Sequence, residues 1–113
     1  MSSDKPSHRG SPYAQELISH LQPHCTTHKT DPGEQLNLQV NGQSMCYLIL
    51  DGTVAIYRRS DDMMLSTARS PALFGLANLT DIYFTDYLRT VTPCLIGVLT
   101  TDRVAEIIKE KAL

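Results

Sequence analysis

Turn signals recur along the middle of this chain at nearly even intervals, and no other feature limits its fold so strongly. Asp31-Pro32-Gly33, Asn41-Gly42, Asp51-Gly52 and Ser60-Asp61-Asp62 interrupt short apolar runs. A spacing of roughly 8 to 12 residues between turns suits a barrel or roll of short antiparallel strands. Leu36, Leu38 and Val40 alternate with polar residues, which predicts one half-buried strand. Tyr47 to Leu50 and Thr53 to Tyr57 flank Asp51-Gly52. An Asp-Gly pair between two such runs predicts a hairpin, because both central residues can take positive φ. Met63 to Ala68 reads as the strand returning from the Ser60 reversal, and Thr90 to Leu99 as a last strand with several β-branched residues.

Helical text brackets this region. Ser11-Pro12 reads as an N-cap followed by proline at the first helical position, and Ala14, Leu17, Ile18 and Leu21 share one face. Pro23 ends that helix, since its ring and missing N–H oppose continuation. Thr101 or Asp102 caps a closing helix that carries Val104, Ile107 and Ile108 on one face. Met1 to Gly10 has no apolar periodicity and reads as a disordered lead-in, leaving 11–113 as the domain. The expected fold is therefore mainly β, a double-stranded β-helix of the jelly-roll or cupin-like type with short flanking α-helices.

At 113 residues there is room for one domain, able to bury roughly 65% of its unfolded surface. A formal charge of −2 gives no global attraction to nucleic acid or to anionic membranes. The longest apolar run, Cys94 to Leu99, is far shorter than the ~20 residues of a membrane span, and the polar N-terminus lacks a signal-peptide core. Cys25, Cys46 and Cys94 are sparse, odd in number and unpaired in spacing. They make no disulfide framework, which points to a reducing, cytoplasmic setting.

The middle of the chain resembles the cyclic-AMP receptor/FNR family of bacterial transcription regulators. Tyr47-Leu-Ile-Leu-Asp-Gly-Thr-Val-Ala-Ile-Tyr-Arg58 is similar to the family's pattern of apolar strand, x-Gly, small-Val-x-apolar. Pro32-Gly33-Glu34 stands where the family often opens a strand with glycine. Phe74-Gly75, followed by Leu79, resembles the entry to the phosphate-binding cassette, and Thr92-Pro93-Cys94 through Val98-Leu99 to Ile107-Ile108 resembles the last strand and the start of the dimerisation helix. The resemblance runs from about Ser11 to the end. It implies an N-terminal sensor domain whose state passes to a long helix that dimerises and orients a DNA-binding domain.

The family cassette joins a glycine that lets the backbone approach a cyclic phosphate, a glutamate that accepts the ribose hydroxyl, and an arginine, followed by Ser, Thr or Ala, that neutralises the phosphate. Here Gly75 is kept, but Leu76 follows it and cannot accept a hydrogen bond. Two registers are open for the arginine. Arg89-Thr90 fits the Arg-Ser/Thr pair by type. Anchoring on Thr92-Pro93-Cys94 instead puts Phe84-Thr85 at the arginine site, and strand length to the closing helix favours this second register. In that register the pocket has no cation, and a buried phosphate without one is heavily penalised. The degenerate ligand set is thus Gly75, Leu76, Ala77, Phe84, Thr85, Arg89 and Thr90.

Other chemistry is weaker. His20, His24, Cys25 and His28 are the only metal-like cluster, yet Pro23 interrupts their alignment, and a solvated helix-to-strand linker explains them as well. All four histidines precede the first expected barrel strand at Leu36, which argues against a cupin-like metal enzyme. Cys25, beside His24, is the best candidate for redox sensing but has no obvious resolving partner. Met63-Met64-Leu65 and Tyr83-Phe84 either line an apolar pocket or fill that space as core. No catalytic set, Walker loop or dinucleotide fingerprint is present.

The expected function is a cytoplasmic, non-enzymatic sensor domain of a transcription regulator that does not bind cyclic AMP in the usual way. It needs no cofactor, no metal and no membrane, and an apolar small molecule is the candidate effector. The DNA-reading half is absent from these residues, so the chain itself should not bind DNA. A homodimer is expected of a longer form and only weak association of this one, since the dimerisation helix stops short. The alternatives are a ligand-free protein-interaction module and, less favoured, the cupin-like enzyme.

Overall fold

The computed structural model describes residues 12–76 and 86–112, with side chains from Gln15 onward. The lead-in expected over 1–10 lies outside the described residues. Helix α1 (Pro12–Leu21) is followed by a short 3₁₀ turn (Gln22–His24). Among the described residues nine strands come next: β1 (Thr26–Thr30), β2 (Gln35–Asn37), β3 (Gln39–Val40), β4 (Gln43–Asp51), β5 (Thr53–Arg58), β6 (Met63–Arg69), β7 (Ala72–Phe74), β8 (Tyr87–Thr90) and β9 (Cys94–Thr100). Helix α2 (Thr101–Lys111) closes the chain. The expected jelly-roll-like architecture with two short flanking helices is what the chain adopts.

The strands form two sheets. One has the order β1-β9-β4-β3, with β7 also paired to β4; the other runs β2-β8-β5-β6. Every pairing is antiparallel. Strand β4 is buried on both faces, and its alternation sorts two cores. Tyr47 and Ile49 face the other sheet and join Leu38, Val54, Ile56, Phe74, Leu88 and Ile96 in the roll interior. Cys46 and Leu48 face the helices and join Leu17, Leu21, Leu73, Leu99, Val104 and Ile107. Burial of one such Leu or Ile side chain contributes about 1.5–3 kcal/mol. Both helices thus supply one apolar face each, as their periodicity predicts.

Several local expectations are corrected. Asp51-Gly52 is not a hairpin: β4 and β5 belong to different sheets, and the chain turns a corner there. Gly52 takes φ +107, and a Cβ on it would lie 2.7 Å from the Pro93 carbonyl oxygen. The real two-residue hairpin of this part is Asn41-Gly42, at φ 53 and 79, which pairs Val40 with Gln43. The single strand expected over Leu36 to Val40 is two short strands in different sheets, bent at buried Leu38, with Val40 exposed. The last strand is likewise two, β8 and β9, divided at Val91-Thr92-Pro93 because proline cannot donate to a ladder. Strand β1 replaces the expected linker; its residues are exposed except Thr30, so it carries no apolar alternation to reveal it.

Candidate functional site

The cassette region begins where β7 ends. Gly75 is buried at φ +112, and a Cβ there would strike the Met45 carbonyl oxygen and lie 2.8 Å from Cys46 Cα. Close packing of the β7 exit against β4 therefore demands glycine at this position, whether or not a phosphate ever comes near. Leu76 packs into the helix-side core with Leu73 and Cys46, not into the roll interior. Ala77, Phe84 and Thr85 lie outside the described residues, as does Tyr83.

Arg89 and Thr90 sit on β8, and the alternation of the strand decides what each can reach. Leu88 is fully buried in the roll interior, so Arg89 emerges on the opposite, outer face of the sheet. There its Nη1 donates to the Gly33 carbonyl oxygen at 3.0 Å and its Nη2 to Gln35 Oε1 at 3.1 Å. Its guanidinium also lies 5.9 Å from the Tyr57 ring centre and 5.7 Å from that of Tyr87, within cation–π range. Thr90 is buried, and its hydroxyl is committed twice. It donates to the Asp31 carbonyl oxygen at 2.7 Å and accepts from the Glu34 N–H at 2.9 Å. Backbone bonds from Gly33 to Thr90 (2.7 Å) and from Thr90 to Glu34 (2.9 Å) complete the clasp. Together the two residues staple the Asp31-Pro32-Gly33-Glu34 turn to the sheet.

Around Arg89 runs a surface ladder that sequence reasoning missed. Tyr57 and Tyr87 stack with centres 5.3 Å apart and planes 6° from parallel. Arg59 lies 5.2 Å from the Tyr87 ring centre and donates to Asn37 Oδ1 at 2.8 Å. The Tyr87 hydroxyl donates to Asp62 Oδ1 at 2.7 Å, a bond to an anion that raises its pKa, with burial adding to the rise. The spacings 57/59 and 87/89 were the available signal, since alternate residues of a strand share one face.

The roll interior carries few polar groups among the described residues. The Tyr47 hydroxyl donates to the Asn37 carbonyl oxygen, and burial raises its pKa. Cys94 Sγ donates to the Thr53 carbonyl oxygen at 3.4 Å. Met63, Met64 and Leu65 neither line nor fill this interior, contrary to expectation: they are exposed on β6 at the margin of the sheet. Open cavities lie elsewhere among the described residues. One of about 310 Å³ is lined by Lys29, Asp31, Asp51 and Pro93, and one of about 500 Å³ lies between the Asn41-Gly42 turn and the start of α2.

Cys25, the redox candidate, is partly buried against Gly97 and donates to the Gln22 carbonyl oxygen at 3.1 Å. Burial pushes its thiol up, outweighing the backbone hydrogen bonds that pull it down. Cys46 shifts the same way, with burial outweighing its 3.5 Å contact with Thr101. A raised pKa lowers the thiolate fraction at neutral pH, the opposite of what a reactive cysteine needs. His28 is an exposed residue of β1, across from Ile96. Among the described residues no group of three or more His, Cys, Asp or Glu side chains is arranged to hold a metal, and no helix is long and apolar enough to cross a membrane.

No family model matches the sequence, and no curated protein matches it. Solved structures do. A CooA mutant from Carboxydothermus hydrogenoformans matches over 84% of this chain and 62% of its own, with TM-score 0.65 and 13% identity. CLP of Xanthomonas campestris, described as a c-di-GMP responsive global regulator, matches over 86% of this chain and 49% of its own, with TM-score 0.67 and 17% identity. The N-terminal domain of a transcriptional regulator from Streptomyces coelicolor A3(2) matches over 86% and 70%, with TM-score 0.62 and 20% identity. The chain thus spans 62% and 49% of the first two of these proteins. In fold, the chain is a jelly-roll-like β-roll similar to that of these solved structures.

Proposed function

We propose that this chain is the sensor domain of a transcription regulator in which the cyclic-nucleotide site has been lost. It acts without catalysis, and DNA is read by residues other than these. The reading is supported above all by Arg89, the arginine of the only Arg-Thr pair in the cassette region. Its two hydrogen bonds go to Gly33 and Gln35 on the outer face of the sheet. Thr90 is equally committed to the Asp31–Glu34 turn. Leu76, where a ribose acceptor is expected, brings only carbon and turns toward the helices. A phosphate brought into this interior would meet side chains such as Ile49, Val54 and Phe74, so the effector chemistry we assign to it is apolar.

Thermal melting with and without millimolar cyclic AMP and cyclic GMP tests this. A ligand at one hundred times its Kd stabilises by ~2.7 kcal/mol, a shift of roughly 10 °C for a domain of this size. The expected result is no shift with either nucleotide. A clear shift would overturn the reading and require a phosphate-binding group outside the Arg89-Thr90 step.

A further inference from the structure

We propose that the cavity of about 310 Å³ where β1 and β4 end and β9 begins is a binding site for a free basic α-amino acid. Its charged walls set it apart from the apolar interior of the roll. On β9, Leu95 pairs with Lys29 of β1 on one side and with Asp51 of β4 on the other. Two strand spacings hold Lys29 and Asp51 about 10 Å apart. Asp51 owes its place to a bulge: Ile49 pairs with Ile96 and then Asp51 with Leu95, so that Leu50 is skipped. A bulge of this kind re-aims a side chain. Asp31 follows β1 directly, two positions from Lys29, and Pro93 precedes β9.

The polar groups around this cavity are uncommitted. Among the described residues the ion pairs are those of Arg58 with Asp61 and of Arg103 with Glu106 and Glu110, and none involves Lys29, Asp31 or Asp51. Thr30 also lines the cavity and is only 9% exposed, yet its hydroxyl reaches just the Cys94 carbonyl oxygen, at 3.5 Å. That is the outer limit of a hydrogen bond, and both acceptor lone pairs stay open. One ammonium and two carboxylates call for the reverse set in a ligand, one carboxylate and two cationic groups. A basic amino acid carries that set. Its α-carboxylate meets Lys29 and its α-ammonium meets Asp31 and the Thr30 hydroxyl, neighbours on the strand as the two α groups are on the ligand. Its aliphatic stem lies over Leu95 and Pro93, and its distal cation reaches Asp51 across β9.

Amide NMR of the isotope-labelled 113-residue chain, titrated with L-lysine at constant pH and low salt, tests this. Saturable shifts centred on Lys29, Asp31, Asp51 and Leu95 are expected, with a dissociation constant on the order of millimolar. Cadaverine lacks the carboxylate and L-norleucine lacks the distal amine. Each should bind about fivefold more weakly than L-lysine, the upper value for one exposed ion pair. Lys29→Gln and Asp51→Asn should weaken L-lysine by a similar factor, and Asp51→Asn should leave L-norleucine binding unchanged. Both side chains are exposed, so both variants should melt within a few degrees of the wild type. Shifts that never saturate, or that centre on another surface, overturn the proposal. So does equal affinity for the three compounds, or L-lysine binding that neither substitution weakens.

Discussion

Replacing Thr90 by valine separates a structural staple from a ligand clamp. The side chain is 3% exposed, donates to Asp31 at 2.7 Å and accepts from Glu34 at 2.9 Å. Valine has nearly the same shape, so packing changes little while both hydrogen bonds disappear. A typical intramolecular hydrogen bond nets about 1 kcal/mol. Asp31 and Glu34 stand in an exposed turn, where water can take up part of what they lose. The expected loss is therefore about 2 kcal/mol. Unfolding entropy of ~2.1 cal/mol/K per residue gives ~0.24 kcal/mol/K over 113 residues, so the melting point should fall by about 8 °C. The assay is thermal and urea unfolding of the ligand-free protein, with Thr90→Ser alongside. Serine keeps the hydroxyl and gives up one methyl group, a loss of about 1 kcal/mol. A residue that meets only a ligand leaves the ligand-free protein's stability unchanged. A valine variant as stable as the wild type would therefore refute the staple, as would a serine variant that falls further than the valine one.

Two more consequences follow from the packing. Gly75→Ala should destabilise by about 3 kcal/mol or more, because the new methyl meets Met45 and Cys46 on a backbone at φ +112; urea unfolding, or soluble yield if the variant does not fold, measures it. Burial raises the pKa of the Cys46 thiol above its ordinary value of 9.0. The folded state then holds its proton where the unfolded state releases it, so stability falls as pH rises above about 9; a urea midpoint that rises across that range would contradict the assignment.

The surface arginines show why local reading loses the site. Arg89 with Thr90 fits a phosphate clamp by residue type, and the inward position of Leu88 turns it outward. A one-residue change of register exchanges the faces of every side chain in a strand. The exposure of Met63, Met64 and Leu65 is decided in the same way, by where β6 falls in its sheet. Nothing in three adjacent apolar letters distinguishes a buried strand from an edge.

What the sequence determined by itself was local. Asn41-Gly42 reverses because both residues accept positive φ, Pro23 stops α1, and Leu17, Leu21, Val104 and Ile107 mark the buried helix faces. The density of such turns made a roll the natural outcome. Only the tertiary structure decided which strands pair. Asp51-Gly52 looks the same in sequence whether its flanking strands pair or part into two sheets, and here they part. Strand β1 forms without an apolar pattern because β9 supplies its hydrogen bonds from 64 to 72 positions away. Turn chemistry is settled within a few neighbouring residues, whereas strand partners and the direction of a side chain depend on contacts that close only when distant segments meet.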